Sequence, residues 1–120
     1  MLAHAQIVRL LDIANAGCHR GMVQEARAIY ESLLVLKPGH VPARIGLALS
    51  RIVVDEFAEA EAMLRAVLDE HPHDAEARAM LGLCLSLSGR EEEARAELEA
   101  VQDSEGTGAR LAGSLLAQMG

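Results

Sequence analysis

Aromatic residues are nearly absent from this sequence, which has no Trp, one Tyr and one Phe in 120 residues. Nucleic-acid bases stack on aromatic side chains, so the chain offers them no such platform. Basic residues are also outnumbered. The chain has 11 Lys and Arg against 18 Asp and Glu, which gives a net charge of −7. Phosphate backbones and anionic membrane surfaces both attract basic proteins. These shortages argue against nucleic acid and membrane partners and favour a basic or amphipathic protein.

Long hydrophobic runs are absent as well. No stretch of about 18 uninterrupted apolar residues occurs, so we expect no segment that spans a membrane. The N-terminal apolar stretch has no basic leader and is interrupted by Arg9 and Asp12, so we expect no signal peptide. The predicted compartment is the cytoplasm, and 120 residues predict one domain over residues 1–120.

Residues that favour strands or break helices are scarce. The chain has three Pro, and Thr107 is its single Thr, whereas Ala, Leu, Glu and Arg abound. Hydrophobic residues make up 51% of the chain and almost none of them is aromatic, so the core must be aliphatic. The composition therefore predicts an all-α fold.

A 34-residue step organises the chain. Pro38 and Pro72 are separated by it (72 − 38 = 34). Several apolar positions recur at the same step over three copies, which chance would not produce. Small residues at two of these columns would let paired helices approach closely. The columns are Ile13/Leu47/Leu81, Ala14/Ala48/Gly82, Ala26/Ala60/Ala94, Tyr30/Leu64/Leu98 and Leu33/Val67/Val101.

This pattern resembles the tetratricopeptide repeat, a 34-residue helix–turn–helix with Leu-Gly, then Ala, then a large residue four positions on, then Pro. Leu81-Gly82, Ala94 and Leu98 match it in the third copy. The resemblance implies an all-α, TPR-type helical repeat (α-solenoid) with three helix–turn–helix pairs. It places the repeats at about 7–40, 41–74 and 75–108, and a C-terminal capping helix at about 109–119. An alternative for this last helix is a segment that occupies the binding groove when no ligand is present.

The sequence departs from the family at its aromatic positions. Leu10, Arg44 and Arg78 stand where the family has Trp, and Gly17, Arg51 and Leu85 stand where it has Tyr. Arginines on a packing face are unusual. We expect Arg44, Arg51 and Arg78 to extend their charge to water or to pair with acids of a neighbouring helix.

The spacing of apolar residues predicts seven helices. They cover residues 3–19, 24–36, 41–54, about 55–70, about 74–87, about 91–101 and 109–119. Asp74 is expected to cap the fifth. The third carries two apolar stripes, one of them formed by Ile45, Leu49 and Ile52. Such a helix is either buried all round or packs with one face and offers the other to a partner.

The resemblance implies that the first helix of each pair lines a concave groove. Most positions predicted there are aliphatic, and an apolar groove in an acidic chain implies an occupant, such as the apolar face of an amphipathic helix. Members of the family that grip a terminal carboxylate use Lys, Arg and Asn, of which this groove has one Asn, so that mode is not expected. A charge in place of Leu49 is expected to abolish binding while the domain stays folded. The predicted groove residues are Leu11, Asn15, Cys18, His19, Ile45, Leu49, Ile52, Val53, Ala79, Leu83, Ser86 and Leu87.

Other candidate sites give weaker signals. His71 and His73 flank Pro72, but two ligands are too few for a closed metal site. The repeat step places Cys18 and Cys84 two helix pairs apart, too far for a disulfide. No nucleophile–base pattern, phosphate loop or zinc motif occurs. We therefore expect no enzymatic activity, no metal and no cofactor.

In size and groove character the chain resembles the small tetratricopeptide chaperones of bacterial type III secretion, a process tied to virulence. The resemblance implies a cytoplasmic chaperone that masks an amphipathic or hydrophobic helix of a needle or translocator subunit. It also implies that a small co-chaperone could take part. The competing interpretation is a self-associating assembly adaptor, in which a homodimer forms through the same groove.

Overall fold

The computed structural model describes residues 4–119, and these residues form seven α-helices and no strand. Each predicted helix is present, and its ends lie within one helical turn of the predicted ones. No helix in this range combines the length and the hydrophobicity needed to cross a membrane. The helices are α1 (His4–His19), α2 (Val23–Leu36), α3 (Val41–Ile52), α4 (Phe57–Glu70), α5 (Ala75–Leu87), α6 (Glu91–Glu99) and α7 (Thr107–Met119).

Local sequence signals set the helix ends. The carboxylate of Asp74 accepts a hydrogen bond from the backbone N–H of Ala77 at 2.9 Å, which confirms the predicted cap of α5. Pro42 lies in the first turn of α3, where its missing N–H costs no helical bond. The turns that follow α2 and α5 contain Gly39 and Gly89, both with positive φ (82° and 88°). Glycine adopts this conformation without strain, so each chain reversal is compatible with its sequence.

The chain divides into two compact units, with the boundary after Glu56. The first unit contains α1, α2 and α3, and the second contains α4, α5, α6 and α7. In both units the small residues of the 34-residue columns are buried, as the packing interpretation predicts. These residues are Ala14, Ala26 and Ala48 in the first unit, and Ala60, Gly82 and Ala94 in the second.

In the first unit, Tyr30 of α2 is fully buried. Its ring lies directly against Gly46 of α3, where a Cβ atom would overlap the ring carbons. The largest side chain of this core thus packs against a residue with no side chain. This pair lets α2 and α3 pack closely.

In the second unit, α7 packs against α5 and α6. Its first turn approaches so closely that a Cβ atom on Gly108 would lie 2.6 Å from the backbone carbon of Ala75. Its leucines cover a buried cluster that includes Ala79 and Leu98. The helix therefore covers an apolar side of the last helix pair, as expected of a capping helix. The leucines are Leu111, Leu115 and Leu116.

Arginines join neighbouring elements through ion pairs within each unit. Arg51 contacts Glu56 at 3.2 Å. Arg78 of α5 contacts Glu97 of α6 at 2.6 Å. The Arg78–Glu97 pair confirms the prediction for Arg78. The partner of Arg51 is an acid in the segment that follows its own helix, and Arg44 is half-buried.

Arg27 of α2 is the best anchored of the arginines. Its guanidinium donates to Ser50 Oγ at 3.0 Å, to the Ser50 carbonyl at 3.3 Å and to Glu56 Oε1 at 2.5 Å. The hydrogen bond from Arg27 is the largest of the effects that lower the pKa of Glu56. Ser50 itself is fully buried in α3. Arg27 therefore links α2 to α3 and to the segment that follows α3.

We expect Arg27→Leu to lower the free energy of unfolding by about 1 kcal/mol, because it removes hydrogen bonds from the buried Ser50. Urea denaturation would measure the loss. Arg65→Leu is the matched control, since Arg65 pairs with Glu61 one turn away and its side chain is 46% exposed. Exposed pairs of this kind contribute less than about 0.5 kcal/mol. Equal losses in the two variants would contradict the anchoring role of Arg27.

Candidate partner-binding surface

The first unit brings several of the predicted groove positions together, because α1 packs against α3. Asn15 and His19 of α1 are exposed, and Leu11 is half-buried. Val53 follows the end of α3 and is 41% exposed. These four residues provide the accessible part of the predicted surface in this unit.

Four other predicted positions in this unit are buried, so the accessibility expected of them as groove residues is wrong. The exposed fractions are 2% for Cys18, 3% for Ile45, 9% for Leu49 and 3% for Ile52. Seven of the twelve residues of α3 are buried. Of the two interpretations of its apolar stripes, the structure therefore supports a helix covered almost all round. Residues on the Ile45 stripe belong to the core and do not form the wall of an open groove.

In the second unit, α5 carries the four remaining predicted positions. Ala79 is fully buried in the cluster that α7 covers, so it is also removed from the accessible surface. Leu83 and Ser86 are half-buried, and the Ser86 hydroxyl donates to Glu91 Oε1 at 3.1 Å. Leu87, the last residue of α5, is 55% exposed. A leucine exposed to this degree at a helix end is available for contact with a partner.

Two buried polar groups of the first unit lie next to its accessible surface, and one of them contacts Asn15. The Tyr30 hydroxyl donates a hydrogen bond to Asn15 Oδ1, which orients the Asn15 amide. Cys18 Sγ lies 3.8 Å from the same hydroxyl. Burial raises the pKa of both Cys18 and Tyr30. The thiol therefore stays protonated at neutral pH and lacks the thiolate that nucleophilic chemistry needs.

The other candidate groups named from the sequence are two histidines and two cysteines. His71 and His73 are exposed in the turn between α4 and α5. Within residues 4–119, no three side chains of the His, Cys, Asp and Glu types come together as a metal site. Cys18 and Cys84 are both buried free thiols.

Val54 is an accessible aliphatic residue that the groove prediction missed. It is 44% exposed and lies directly after Val53. The apolar pattern had placed both valines inside α3, but the helix ends at Ile52. The two valines therefore lie in the turn, where both side chains reach solvent. The sequence does contain a signal for this earlier helix end, since the acidic residues Asp55-Glu56 follow the two valines directly.

Solved structures resemble this fold over most of its length. The structure of the Yersinia enterocolitica type III secretion translocator chaperone SycD aligns with a TM-score of 0.69 at 16% identity, and covers 98% of this chain and 86% of that one. The MamA RS-1 ArsTM double mutant aligns with a TM-score of 0.60 at 23% identity, over 84% of this chain and 57% of that one. Identities this low show a shared fold alone. A search of the curated proteins found no match.

The family model of the tetratricopeptide repeat matches residues 54–119. This range is more than half of the chain and includes the second and third copies of the Ala and large-residue columns. By the 34-residue step, the same columns extend to Ala14 and Ala26 in the first copy. Domains built from this repeat bind other proteins. The chain belongs to the tetratricopeptide repeat family.

Proposed function

We propose that this protein is a cytoplasmic chaperone that binds the apolar face of an amphipathic helix. The client class is a needle or translocator subunit of a type III secretion system. Chaperones of this kind keep an aggregation-prone helix covered until it is secreted. Catalysis is not part of the proposed role.

The observation that carries the proposal is a pair of exposed aliphatic residues at equivalent repeat positions. Val53 and Leu87 are 34 residues apart (87 − 53 = 34) and are 41% and 55% exposed. Leu87 is the last residue of the first helix of its pair, and Val53 directly follows the corresponding helix. The resemblance assigns both positions to the groove. Leu11 and Leu83, both half-buried, add apolar surface in the first and second unit respectively.

Two further features support the client class. The net charge of −7 would attract a helix whose polar face is basic and would speed encounter with it. The structural neighbour SycD is described as a type III secretion translocator chaperone, and its fold matches nearly the whole of this chain. The specific client rests on that likeness and on the resemblance of the repeat pattern.

The experiment uses a fluorescein-labelled amphipathic peptide of about 18 residues with a Leu face and a Lys face, and fluorescence anisotropy as the readout. We expect Val53→Asp and Leu87→Asp each to weaken binding by at least about 30-fold, or about 2 kcal/mol, because a carboxylate must be desolvated against the apolar face. Val35→Asp is the matched control. Val35 is 79% exposed on α2, the second helix of its pair, and its substitution should leave the affinity unchanged.

The chaperone role needs a second readout. A purified translocator subunit should remain in the supernatant after centrifugation when it is mixed with this protein, and should pellet with the Leu87→Asp variant. If the translocator subunit pelleted as much with the wild-type protein as without it, the chaperone role would be contradicted. Peptide binding without this protection would instead favour an assembly adaptor.

A further inference from the structure

The turn between α3 and α4 contains a residue in an unfavourable backbone conformation. Asp55 has a φ of 64°, and no other residue except glycine has a positive φ within residues 4–119. A Cβ atom disfavours this left-handed region, whereas glycine adopts it freely. Among the other residues, Asp and Asn tolerate it best. The conformation therefore carries a cost in stability that glycine at this position would avoid.

The 34-residue step shows that this turn does not require aspartate. Gly21 and Gly89 lie one step before and one step after Asp55, and their φ angles are 81° and 88°. All three turns are closed by the same backbone hydrogen bond, from the amide of the next residue to the carbonyl five residues before it. These bonds are Met22 to Gly17 at 2.7 Å, Glu56 to Arg51 at 2.9 Å and Arg90 to Leu85 at 2.9 Å. The first and third copies thus form this turn with glycine, and the second copy forms it with a charged side chain.

The carboxylate of Asp55 does not compensate for this cost within the fold. The residue is exposed, and its carboxylate takes part in no hydrogen bond or ion pair within residues 4–119. The carboxylate of Glu56, in contrast, contacts Arg27 at 2.5 Å and Arg51 at 3.2 Å. An acid near the start of a helix stabilises it, but Glu56 lies one residue closer to α4 and already provides that charge. Of the two acids in the turn, Glu56 stabilises the fold and Asp55 is left for a partner.

The surroundings of Asp55 indicate the chemistry of that partner. Val53 and Val54 directly precede it and are 41% and 44% exposed. Backbone strain of this kind clusters at ligand sites, where the role of the side chain outweighs its cost. A partner that covered the valines would also take water from Asp55, and a carboxylate that loses water without gaining a hydrogen bond weakens binding. The partner therefore needs a cation beside its apolar face.

We propose that Asp55 determines which amphipathic helices this protein binds, by pairing with a Lys or Arg that borders the apolar face of the client. This inference rests on the proposed function, because Asp55 adjoins the Val53 position of that surface. Residues three or four apart are neighbours on a helix, so the cation lies within one turn of the client residue that contacts Val53. A helix with an acid at that position is rejected, because two carboxylates would face each other.

Asp55→Asn is the most direct test, because asparagine tolerates a positive φ and carries no charge. In the anisotropy assay it should weaken binding of the peptide with a Leu face and a Lys face, the Leu–Lys peptide, by about fivefold. It should leave unchanged the affinity for a Leu–Gln peptide, in which glutamine replaces every lysine. Glu31→Gln is the matched control, since Glu31 is exposed on α2 and the net charge changes equally. The control should weaken binding by less than about 1.5-fold, because salt screens distant charges.

Equal effects of Asp55→Asn and Glu31→Gln on the Leu–Lys peptide would overturn the proposal, because attraction by the net charge would then explain both. An equal loss with the Leu–Gln peptide would also overturn it, since the lysines would not be what Asp55 contacts. These failures are distinct from failure of the proposed function. If Val53→Asp weakens binding and Asp55→Asn does not, only the role of Asp55 is wrong. A wild-type protein that binds neither peptide would contradict both proposals.

Asp55→Gly tests whether the side chain is present for binding or for folding. Glycine should raise the midpoint of urea denaturation, because it relieves the strained conformation. It should also weaken binding of the Leu–Lys peptide as much as Asp55→Asn does, since both variants lack the carboxylate. A lower midpoint together with unchanged peptide binding would assign Asp55 to the fold and contradict the proposal.

Discussion

Gly46→Ala is expected to lower the free energy of unfolding by about 2 kcal/mol, although alanine is the better helix former. The new methyl group would overlap the ring of Tyr30, which is fully buried. Overpacking a core costs about 1–3 kcal/mol, and a Cβ atom only 2.1 Å from a ring carbon puts this site at the upper end of that range. A gain of about 1 kcal/mol in helix propensity leaves a net loss of about 2 kcal/mol. Overpacking prevails because the ring is fully buried, so a shift away from the new methyl group would displace neighbouring core side chains. Urea denaturation followed by circular dichroism would measure the difference.

Gly113→Ala is the matched control for this substitution. Gly113 lies within α7, and a Cβ atom there would have no neighbour within 4 Å. The same chemical change should therefore stabilise the protein by about 0.5–1 kcal/mol. If Gly46→Ala also stabilised the protein, the close contact of α2 with α3 would be wrong.

The repeat suggests a rescue of Gly46 variants. One step along the chain, Leu64 stands at the position of Tyr30 and Met80 at the position of Gly46. One step along the chain, the pair thus has a smaller residue in place of the ring, in the second copy, and a larger residue in place of the glycine, in the third copy. Tyr30→Leu combined with Gly46→Met should be more stable than Gly46→Met alone. This coupling would appear in a double-mutant cycle.

Leu49→Asp is expected to unfold a large fraction of the protein. Leu49 is 9% exposed on a helix that is covered almost all round. Truncation of a buried leucine costs about 2–5 kcal/mol, and a buried unpaired carboxylate adds a desolvation penalty. Together these losses approach the whole stability of a typical domain, which is about 5–15 kcal/mol. Circular dichroism at 25 °C and the midpoint of urea denaturation would show the loss.

Val53→Asp is the comparison that separates folding from binding. Val53 is 41% exposed, so its substitution should leave the circular dichroism spectrum unchanged. The sequence alone suggests that Leu49→Asp would leave the fold intact, and the burial of Leu49 reverses this expectation. A folded Leu49→Asp variant would contradict the structure of α3.

Features that depend on neighbours along the chain could be predicted from the sequence. The helix ends are an example, because the cap at Asp74 acts within one turn of helix. The burial of Ala26, Ala60 and Ala94 is another, since the repeat step identifies positions with equivalent packing. These signals together determine the family and the fold.

The accessible surface could not be predicted in the same way. The periodicity of α3 identifies two apolar stripes and does not show which neighbours cover them. The sequence therefore predicts Ile45 and Ile52 in the groove, whereas the structure buries both in the core. Equivalent repeat positions can also differ in burial, since Ile13 is 53% exposed whereas Leu81 is fully buried. The pairing of Tyr30 with Gly46 also escaped prediction, because it joins different positions of two repeats.

The most direct test of the proposed surface is a methyl NMR titration of the wild-type protein with the Leu–Lys peptide. The resonances of Val53 in the first unit and of Leu87 in the second are each expected to shift and saturate, while those of Val35 stay in place. This result would place the peptide on the first helices of the repeats. Shifts confined to Val35 or to Ile13, with Val53 and Leu87 unchanged, would contradict a client surface at these positions.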